Sequence, residues 1–238
     1  MSNADQSDAS SAYSPSEMLP EPLPDAPMPI VASWLAEATA RGDQPNPNAM
    51  TLATIDADGT PSARVVLCKG LEPGPGYVVF YTNYEGRKGR ALTANARASV
   101  VFHWDHQDRQ VRIEGRVTRS PASESDAYFA TRPWESKIGA WASAQSEPIA
   151  SRAALLERVE RTMARFGLEA RTLQAGDRSV RVPRPAHWGG WRLWAARVEL
   201  WVGGPGRVHD RAAWTRTLTG EGDEGYAGGA WSSTRLSP

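Results

Sequence analysis

The chain has 238 residues, of which 40% are hydrophobic, and its 27 basic and 27 acidic side chains give a formal net charge of zero. A balanced charge gives no reason to expect nucleic acid or an anionic membrane surface as a partner. The single cysteine, Cys68, excludes an intrachain disulfide framework. No apolar run approaches the roughly 20 residues of a membrane-spanning helix, and the N-terminus lacks a secretory signal pattern. These features predict a cytoplasmic protein.

The first 29 residues differ from the rest of the chain. They contain five acids, no lysine or arginine, and many serines and prolines. Such a segment buries little apolar surface, so 1–29 is predicted to be a disordered arm. The remainder, 30–238, shows no repeat and no clear boundary, and is predicted to form one domain. It opens with an amphipathic helix from Ile30 that Gly42 ends.

Five β-prone segments follow, with a short basic helix at 86–95 between the third and the fourth. The segments are 50–55, 62–69, 77–82, 98–104 and 110–119. Consecutive strands with short links favour an antiparallel sheet or a closed barrel.

The second half of the chain is predicted to start with two helices. They span 123–131, with Ser123 as the cap and Pro133 as the interruption, and 151–166. A polar irregular segment, a strand pair around a Gly-Pro-Gly turn, a glycine-rich loop and a last strand follow. Their bounds are 167–186, 191–201 with its partner strand, 217–229 and 231–236.

The Gly-Pro-Gly turn carries a polar cluster. Trp201 ends the strand before the turn, and Arg207, His209 and Arg211 come directly after it. A hairpin would bring these groups to one place. An imidazole between two guanidiniums suits a catalytic or ring-stacking role, whereas a lone histidine is more often structural.

Basic residues also flank the earlier strands. Arg64 and Lys69 lie five residues apart on one predicted strand, so alternation places them on opposite faces. Arg87 and Lys88 begin or precede a helix, where backbone N–H groups favour an anion. A solvated helix start is the alternative for this pair.

The hydroxyls of Tyr81 and Thr82 shift that balance toward a phosphate site, because they add hydrogen-bond donors beside the cations. Tyr128 and Arg132 share one face of the helix predicted at 123–131, and Ser136 follows it. These side chains suit a second phosphate, with an ordinary helix surface as the alternative.

No metal site is predicted. His103, Asp105, His106 and Asp108 occupy a hairpin turn with no matching ligand pair elsewhere, so a solvated turn is favoured. Cys68 lies in an apolar run and is predicted to be a buried core residue rather than a reactive thiol.

Several longer motifs resemble, in order, the pyridoxine/pyridoxamine 5′-phosphate oxidase family. They are 64–69 (RVVLCK), 80–83 (FYTN), 86–88 (GRK), 109–115 (RQVRIEG), 136–146 (SKIGAWASAQS), 188–190 (WGG) and 207–211 (RVHDR). The resemblance covers about residue 30 to Pro238. It implies a mainly β fold, the FMN-binding split β-barrel, which is a Greek-key barrel with flanking α-helices. It also implies a homodimer with FMN at the subunit interface.

The resemblance assigns site residues by motif. FMN would be held by Arg64, Tyr81, Thr82, Arg87, Lys88, Gln110, Gln145, Ser146, Trp201 and Arg211. The substrate phosphate would be held by Lys69, Tyr128, Arg132 and Ser136. Arg207 and His209 would lie at the substrate ring, as catalytic and substrate-binding residues.

The implied reaction oxidises pyridoxine 5′-phosphate or pyridoxamine 5′-phosphate to pyridoxal 5′-phosphate, with O2 as acceptor and H2O2 released. Two alternatives stay open: a phenazine-type FMN oxidase of secondary metabolism, and a low-turnover protein that binds flavin or pyridoxal phosphate. Three positions depart from the family pattern. Ser10 stands where the arm can carry an arginine near Tyr13, Asn46 replaces an acid, and Val202 replaces a common glutamine.

Overall fold

The computed structural model describes residues 18–168, 181–220 and 225–238. The helices are α1 Met28–Arg41, α2 Arg87–Ala94, α3 Ala122–Thr131, α4 Trp134–Ala142 and α5 Arg152–Arg165. The strands are β1 Ala49–Ile55, β2 Pro61–Leu67, β3 Gly70–Glu72, β4 Tyr77–Asn83, β5 Arg97–Trp104, β6 Arg109–Arg119, β7 Trp188–Val202, β8 Asp210–Thr215, β9 Leu218–Thr219, β10 Ala227–Gly228 and β11 Ser232–Leu236. No helix in these described ranges is long and apolar enough to cross a membrane.

Nine strands form one curled antiparallel sheet in the order β11-β8-β7-β6-β5-β1-β2. β4 pairs with β3 on one side and with the first half of β7 on the other. β7 is therefore the central element, because β4, β6 and β8 all hydrogen-bond to it. The predicted mainly β fold, a split barrel with flanking helices, is confirmed.

The core lies inside the curl of the sheet. Alternate residues of β1 are buried, and Leu52 packs there with Phe80, Phe102 and Leu193, none of which exposes its side chain. This period of two is what a strand with one covered face requires. Cys68 belongs to the same core, so the prediction of a buried core cysteine is confirmed, and burial raises the pKa of its thiol to about 11.

The observed helices match those predicted from the sequence only in part. Gly42 adopts the left-handed conformation at the end of α1, and the Ser151 hydroxyl caps α5 by accepting from the Ala154 N–H at 3.0 Å. Ser123 is not a cap, because α3 already begins at Ala122 after Pro121. Helix α4 was not predicted. It buries only Ile138 and Ala142, too short an apolar pattern to reveal a helix.

The structure corrects the boundary of the N-terminal arm. Residues 1–17 lie outside the described residues, but the segment from residue 18 packs on the sheet instead of being disordered. Leu19 is buried and its N–H donates to the Asp210 carboxylate at 2.8 Å, while the Trp214 indole donates to the Pro24 carbonyl at 2.8 Å. A few apolar contacts and two partly buried hydrogen bonds thus hold a segment whose average composition predicts disorder.

The strand predicted through Lys69 is shorter than expected. β2 ends at Leu67, and the Lys69 N–H donates to the Val79 carbonyl outside the β2 ladder. The alternation argument for Arg64 and Lys69 is therefore wrong, because only Arg64 lies on the strand. The glycine-rich loop predicted at 217–229 contains the small β9–β10 ladder, and its residues 221–224 lie outside the described part.

Candidate active site

Two half-buried cations from different elements lie close together. Arg64, on β2, donates to the Thr54 hydroxyl at 2.7 Å and to the Ser62 hydroxyl at 2.5 Å. Lys88, on α2, donates from Nζ to the Gln145 amide oxygen at 2.6 Å and to the Thr82 hydroxyl at 3.0 Å. Burial lowers the pKa of both side chains, and the charge of Arg64 adds to the effect on Lys88. All these partners are neutral, so the pair retains its positive charge for an anion.

The N-terminus of α2 extends this cationic cluster. The Asn83 side chain accepts the N–H groups of Glu85 and Gly86 at 2.7 and 3.0 Å, which fixes the turn that leads into the helix. A Cβ on Gly86 would lie 2.7 Å from the Gln145 Oε1, so the glycine lets Gln145 take the position in which it contacts Lys88. Arg87, the first helical residue, is held by the Asp56 carboxylate at 2.7 and 2.8 Å.

A stack of aromatic rings forms a second cluster. Tyr81 stacks on Tyr128 with ring centroids 4.0 Å apart, and on Trp188 at 5.6 Å. The Arg132 guanidinium lies over the Trp188 ring at 4.6 Å, and its Nη1 is buried with no hydrogen-bond partner among the described residues. Burial raises the pKa of Tyr81 to about 12 and lowers the pKa of Arg132. The partly buried aromatic stack and the unsatisfied Nη1 of Arg132 suit an anion.

The turn after β7 forms a third cluster. The His209 ring lies 4.6 Å from the Trp201 ring, and its Nδ1 accepts the Gly204 N–H at 3.2 Å. With Nδ1 as the acceptor, a neutral ring carries its proton on Nε2, which is then a hydrogen-bond donor. Arg207 is exposed at a positive φ of 65°, and Arg211 is bound to Glu199.

The first two clusters and the third lie at opposite ends of β7. Trp188 begins this strand and contacts the aromatic stack, whereas Trp201 lies near its other end. At about 3.3 Å per residue the two tryptophans lie roughly 40 Å apart along the strand. One mononucleotide cannot contact both ends within a single chain.

The remaining predicted residues are placed as follows. Gln110 pairs with Trp201 across β6 and β7, so it belongs to the third cluster. Ser146 follows Gln145 in the left-handed conformation, with a φ of 72°. Lys69 is exposed and Ser136 lies on α4; within the described ranges no side-chain hydrogen bond or ion pair joins either one to Arg132. Val202 is buried at the end of β7, and Ser10 lies outside the described residues.

Sequence reasoning missed several residues that complete these clusters. They are Thr54 and Ser62 beside Arg64, Asp56 beside Arg87, Trp188 in the aromatic stack, and Glu199 beside Arg211. Two of these contacts, Asp56 with Arg87 and Trp188 with Tyr81, join elements distant in sequence, so no local pattern reveals them. The others lie within a strand or a hairpin, where the pairing register decides them. The motif WGG at 188–190 marked Trp188 as part of the family resemblance, but the sequence assigned no role to this residue.

The clusters fit FMN, which combines a phosphate with a flat ring system. Arg64 and Lys88 form no ion pair within the part of the chain that the structure describes, so a phosphate would supply their missing counter-charge. Trp201 and Gln110 offer an aromatic surface and an amide, which are groups that a flavin ring accepts.

Comparison with known proteins gives a consistent result. Residues 37–165 match the family described as pyridoxamine 5′-phosphate oxidase, and residues 188–238 match the pyridoxine 5′-phosphate oxidase C-terminal dimerisation region. Proteins named pyridoxine/pyridoxamine 5′-phosphate oxidase are similar along most of the chain. The one from Cupriavidus necator is 47% identical and covers 89% of both chains, and the one from Paraburkholderia phytofirmans is 51% identical and covers 87% of this chain and 86% of its own.

Solved structures agree with this result. PhzG from Burkholderia lata, in complex with tetrahydrophenazine-1-carboxylic acid, has a TM-score of 0.76 at 28% identity and covers 95% of this chain and 98% of its own. An FMN-binding protein from Nostoc punctiforme, related to pyridoxamine 5′-phosphate oxidase, has a TM-score of 0.62 at 15% identity over 88% of this chain and 96% of its own, which supports the fold alone. The chain belongs to the pyridoxamine 5′-phosphate oxidase family.

Proposed function

We propose that the protein is an FMN-dependent oxidase that converts pyridoxine 5′-phosphate and pyridoxamine 5′-phosphate into pyridoxal 5′-phosphate, with O2 as acceptor and H2O2 as the second product. One observation carries the proposal: two separate sets of half-buried cations, Arg64 with Lys88, and Arg132, form no ion pair with any acid among the described residues. A cofactor phosphate and a substrate phosphate are two anions that would satisfy them. The names of the relatives support the same substrates.

The residues divide into two binding sets. Those for FMN are Arg64, Tyr81, Thr82, Arg87, Lys88, Gln110, Gln145, Ser146, Trp201 and Arg211. Those for the substrate phosphate are Lys69, Tyr128, Arg132 and Ser136. The assignment of Tyr128 and Arg132 is supported by their shared pocket, whereas Lys69 and Ser136 are assigned by motif alone.

Bound FMN would supply the hydride acceptor for the oxidation. The chain itself orients the substrate and stabilises its charge. Arg207 and His209 lie on one turn, and the bond from the Gly204 N–H to Nδ1 makes His209 a hydrogen-bond donor at Nε2. We therefore assign His209 to holding an acceptor atom of the substrate ring rather than to removing a proton.

A homodimer completes the site in this proposal. Because the clusters at the two ends of β7 cannot contact one ligand within a chain, Trp201 and Arg211 of one subunit would meet the Arg64 and Lys88 of the other. The match to a dimerisation region at 188–238 supports this arrangement. The cytoplasmic location stays a prediction, based on the single cysteine.

A phenazine-type oxidase is the second candidate, because PhzG resembles the chain over nearly its whole length. The carboxylate of a phenazine ligand and the 5′-phosphate of the B6 vitamers are both anions that could satisfy the half-buried Arg132. The B6 substrates are preferred because the relatives named pyridoxine/pyridoxamine 5′-phosphate oxidase are 47% and 51% identical to the chain, whereas PhzG is 28% identical.

The proposal is tested by purifying the protein and identifying its flavin. We expect a yellow protein that releases FMN, and H2O2 production with pyridoxine 5′-phosphate and pyridoxamine 5′-phosphate but very little with unphosphorylated pyridoxine. Release of FAD, or failure to bind FMN after reconstitution, would contradict the cofactor assignment. Equal kcat/KM with and without the phosphate would favour the phenazine-type candidate.

A further inference from the structure

Glu199 is a buried carboxylate on a face of the sheet that carries three arginines. Its side chain is 4% exposed, in the second half of β7. Its neighbours Val198 and Leu200 point into the core, so Glu199 lies on the opposite face of the sheet with Arg197 and Trp201. The reaction proposed above gives this acid no role.

Three guanidiniums surround the Glu199 carboxylate. Arg211 donates to Oε1 from Nη2 at 2.7 Å and from Nε at 3.2 Å. Arg112 donates to Oε2 from Nη2 at 2.6 Å, and Arg197 Nη2 lies 3.5 Å from the same oxygen. Both oxygens of one carboxylate are therefore used to hold cations that come from three strands.

The strand register produces this cluster. Arg112 of β6 lies directly opposite Glu199, and Ala213 of β8 lies opposite on the other side. Arg211 of β8 pairs with Trp201, which lies two residues after Glu199 on β7. Arg211 is therefore a diagonal neighbour of Glu199. Because the alanine leaves space beside Glu199, the long Arg211 side chain can lie across it and form two bonds.

The charges around Glu199 are not balanced. Arg112, Arg197 and Arg211 face Glu199 and one further acid, Glu114, which lies 2.8 Å from Arg112 and 3.9 Å from Arg197 but forms no ion pair with Arg211. Removing the Glu199 charge would leave Arg211 beside two cations with no acid among the described residues to orient it, and only the Ser237 carbonyl, which accepts from Nη1 at 2.9 Å, would still hold it. Like charges at this distance repel, most of all where the surroundings exclude water.

We propose that Glu199 is a positioning residue for the cofactor site, which fixes the Arg211 guanidinium in the orientation that FMN requires. The inference rests on the proposed function, because it takes Arg211 as an FMN-binding residue. Glu199 itself touches neither cofactor nor substrate in this proposal. It acts through Arg211, because its carboxylate holds that guanidinium close to those of Arg112 and Arg197.

The test is the dissociation constant of FMN for the apoprotein, measured by the quenching of flavin fluorescence. Glu199→Gln keeps the shape of the side chain but removes its charge, and we expect it to weaken FMN binding about tenfold or more. Glu199→Asp keeps the charge but shortens the reach, and it should weaken binding in the same direction. The control is Glu37→Gln, which removes an acid bound to Arg109 of the same strand β6 and should leave FMN binding unchanged.

A double-mutant cycle separates positioning from a general structural role. Arg211→Met alone should weaken FMN binding, and adding Glu199→Gln to it should cause little further loss. Losses that simply multiply, or an FMN affinity of Glu199→Gln equal to that of wild type, would overturn the inference. Unchanged FMN binding in Arg211→Met would instead remove Arg211 from the proposed cofactor site, and a wild-type protein that binds no FMN would remove the proposed function.

Discussion

Arg132 and Arg211 show two different uses of a partly buried guanidinium. Arg211 is bound by the Glu199 carboxylate, whereas Arg132 lies over the Trp188 ring with one buried nitrogen that no described residue satisfies. An unsatisfied buried donor costs about 1–3 kcal/mol or more when charged. A protein retains such a group where a ligand satisfies it, so we assign Arg132 to an anion and regard Arg211 as a positioned side chain.

Replacing Arg132 by alanine should therefore affect phosphorylated substrates alone. We expect kcat/KM for pyridoxine 5′-phosphate to fall about 10- to 100-fold, mainly through a higher KM, because a charge-assisted bond contributes about 1.5–3 kcal/mol. The measurement is steady-state H2O2 production with phosphorylated and unphosphorylated pyridoxine. The control is Arg165→Ala, which removes another arginine stacked on a tryptophan, Trp141. It should change the kcat/KM of neither substrate. An equal loss with both substrates would show that Arg132 is structural.

Local patterns predicted part of this site. The predicted shared helix face is right only in part, because Tyr128 lies on α3 but Arg132 follows the end of that helix at Thr131. The structure still places both side chains beside Trp188. The contribution of Trp188 itself could not be predicted, because it depends on the long-range pairing of β4 with β7. The ladder brings Tyr81 opposite Gly190, and no spacing within either strand reveals that register.

Among the elements, β7 determines the shape of the sheet. It pairs with β6 along its length, and the register shifts between Glu114 and Gly115. Such a bulge increases the local twist and bends the strand. It also sets the register of the second half of β7, in which Arg197 lies opposite Glu114, Glu199 opposite Arg112, and Trp201 opposite Gln110. The bulge thus aligns the face that carries the third cluster.

Substitution of Gly115 tests the bulge. A Cβ at this position would lie 1.8 Å from the Trp194 carbonyl oxygen, which is backbone and cannot turn away. We expect Gly115→Ala to lower the free energy of unfolding by about 2–3 kcal/mol, measured by chemical denaturation followed by circular dichroism. In α4, a Cβ on Gly139 meets no atom within 4 Å, so Gly139→Ala should instead raise the free energy of unfolding by about 0.5–1 kcal/mol. Similar stabilities for the two variants would contradict this account of the bulge.

The accuracy of the sequence prediction also varied by element. The hairpin of β5 and β6 and the capped helix α5 follow from local signals, namely alternation and the Ser151 cap, and both were predicted. Helix α4 was not, because its stability comes from packing of Ile138 against Leu168 and Val182 rather than from its own pattern. The docking of Leu19 was missed for the same reason.

At the scale of the whole molecule, the predicted site residues of one chain lie in two separate places. The Tyr81 and Arg132 pocket lies at the start of β7, and Arg207 and His209 lie beyond its end. A bound substrate that meets both sets therefore requires two copies of the chain. A symmetric dimer would form two such sites, each with one set from either subunit.

Mixed dimers test this arrangement. Arg132→Ala disables the phosphate pocket and Arg207→Met disables the turn at the other end, so each variant alone should have a low kcat/KM. A dimer with one subunit of each kind would contain one site with both substitutions and one site with neither.

With random pairing on co-expression, about a quarter of all sites should be intact, so the mixture should regain about a quarter of the wild-type kcat/KM. Light scattering should give the mass of a dimer for wild type and for both variants. In the control, each variant is co-expressed with a second copy of the same variant that carries a different affinity tag. Such dimers should regain no kcat/KM. If the mixed dimers are as inactive as their parents, the two sets of residues act within one chain, and the interface site is disproved.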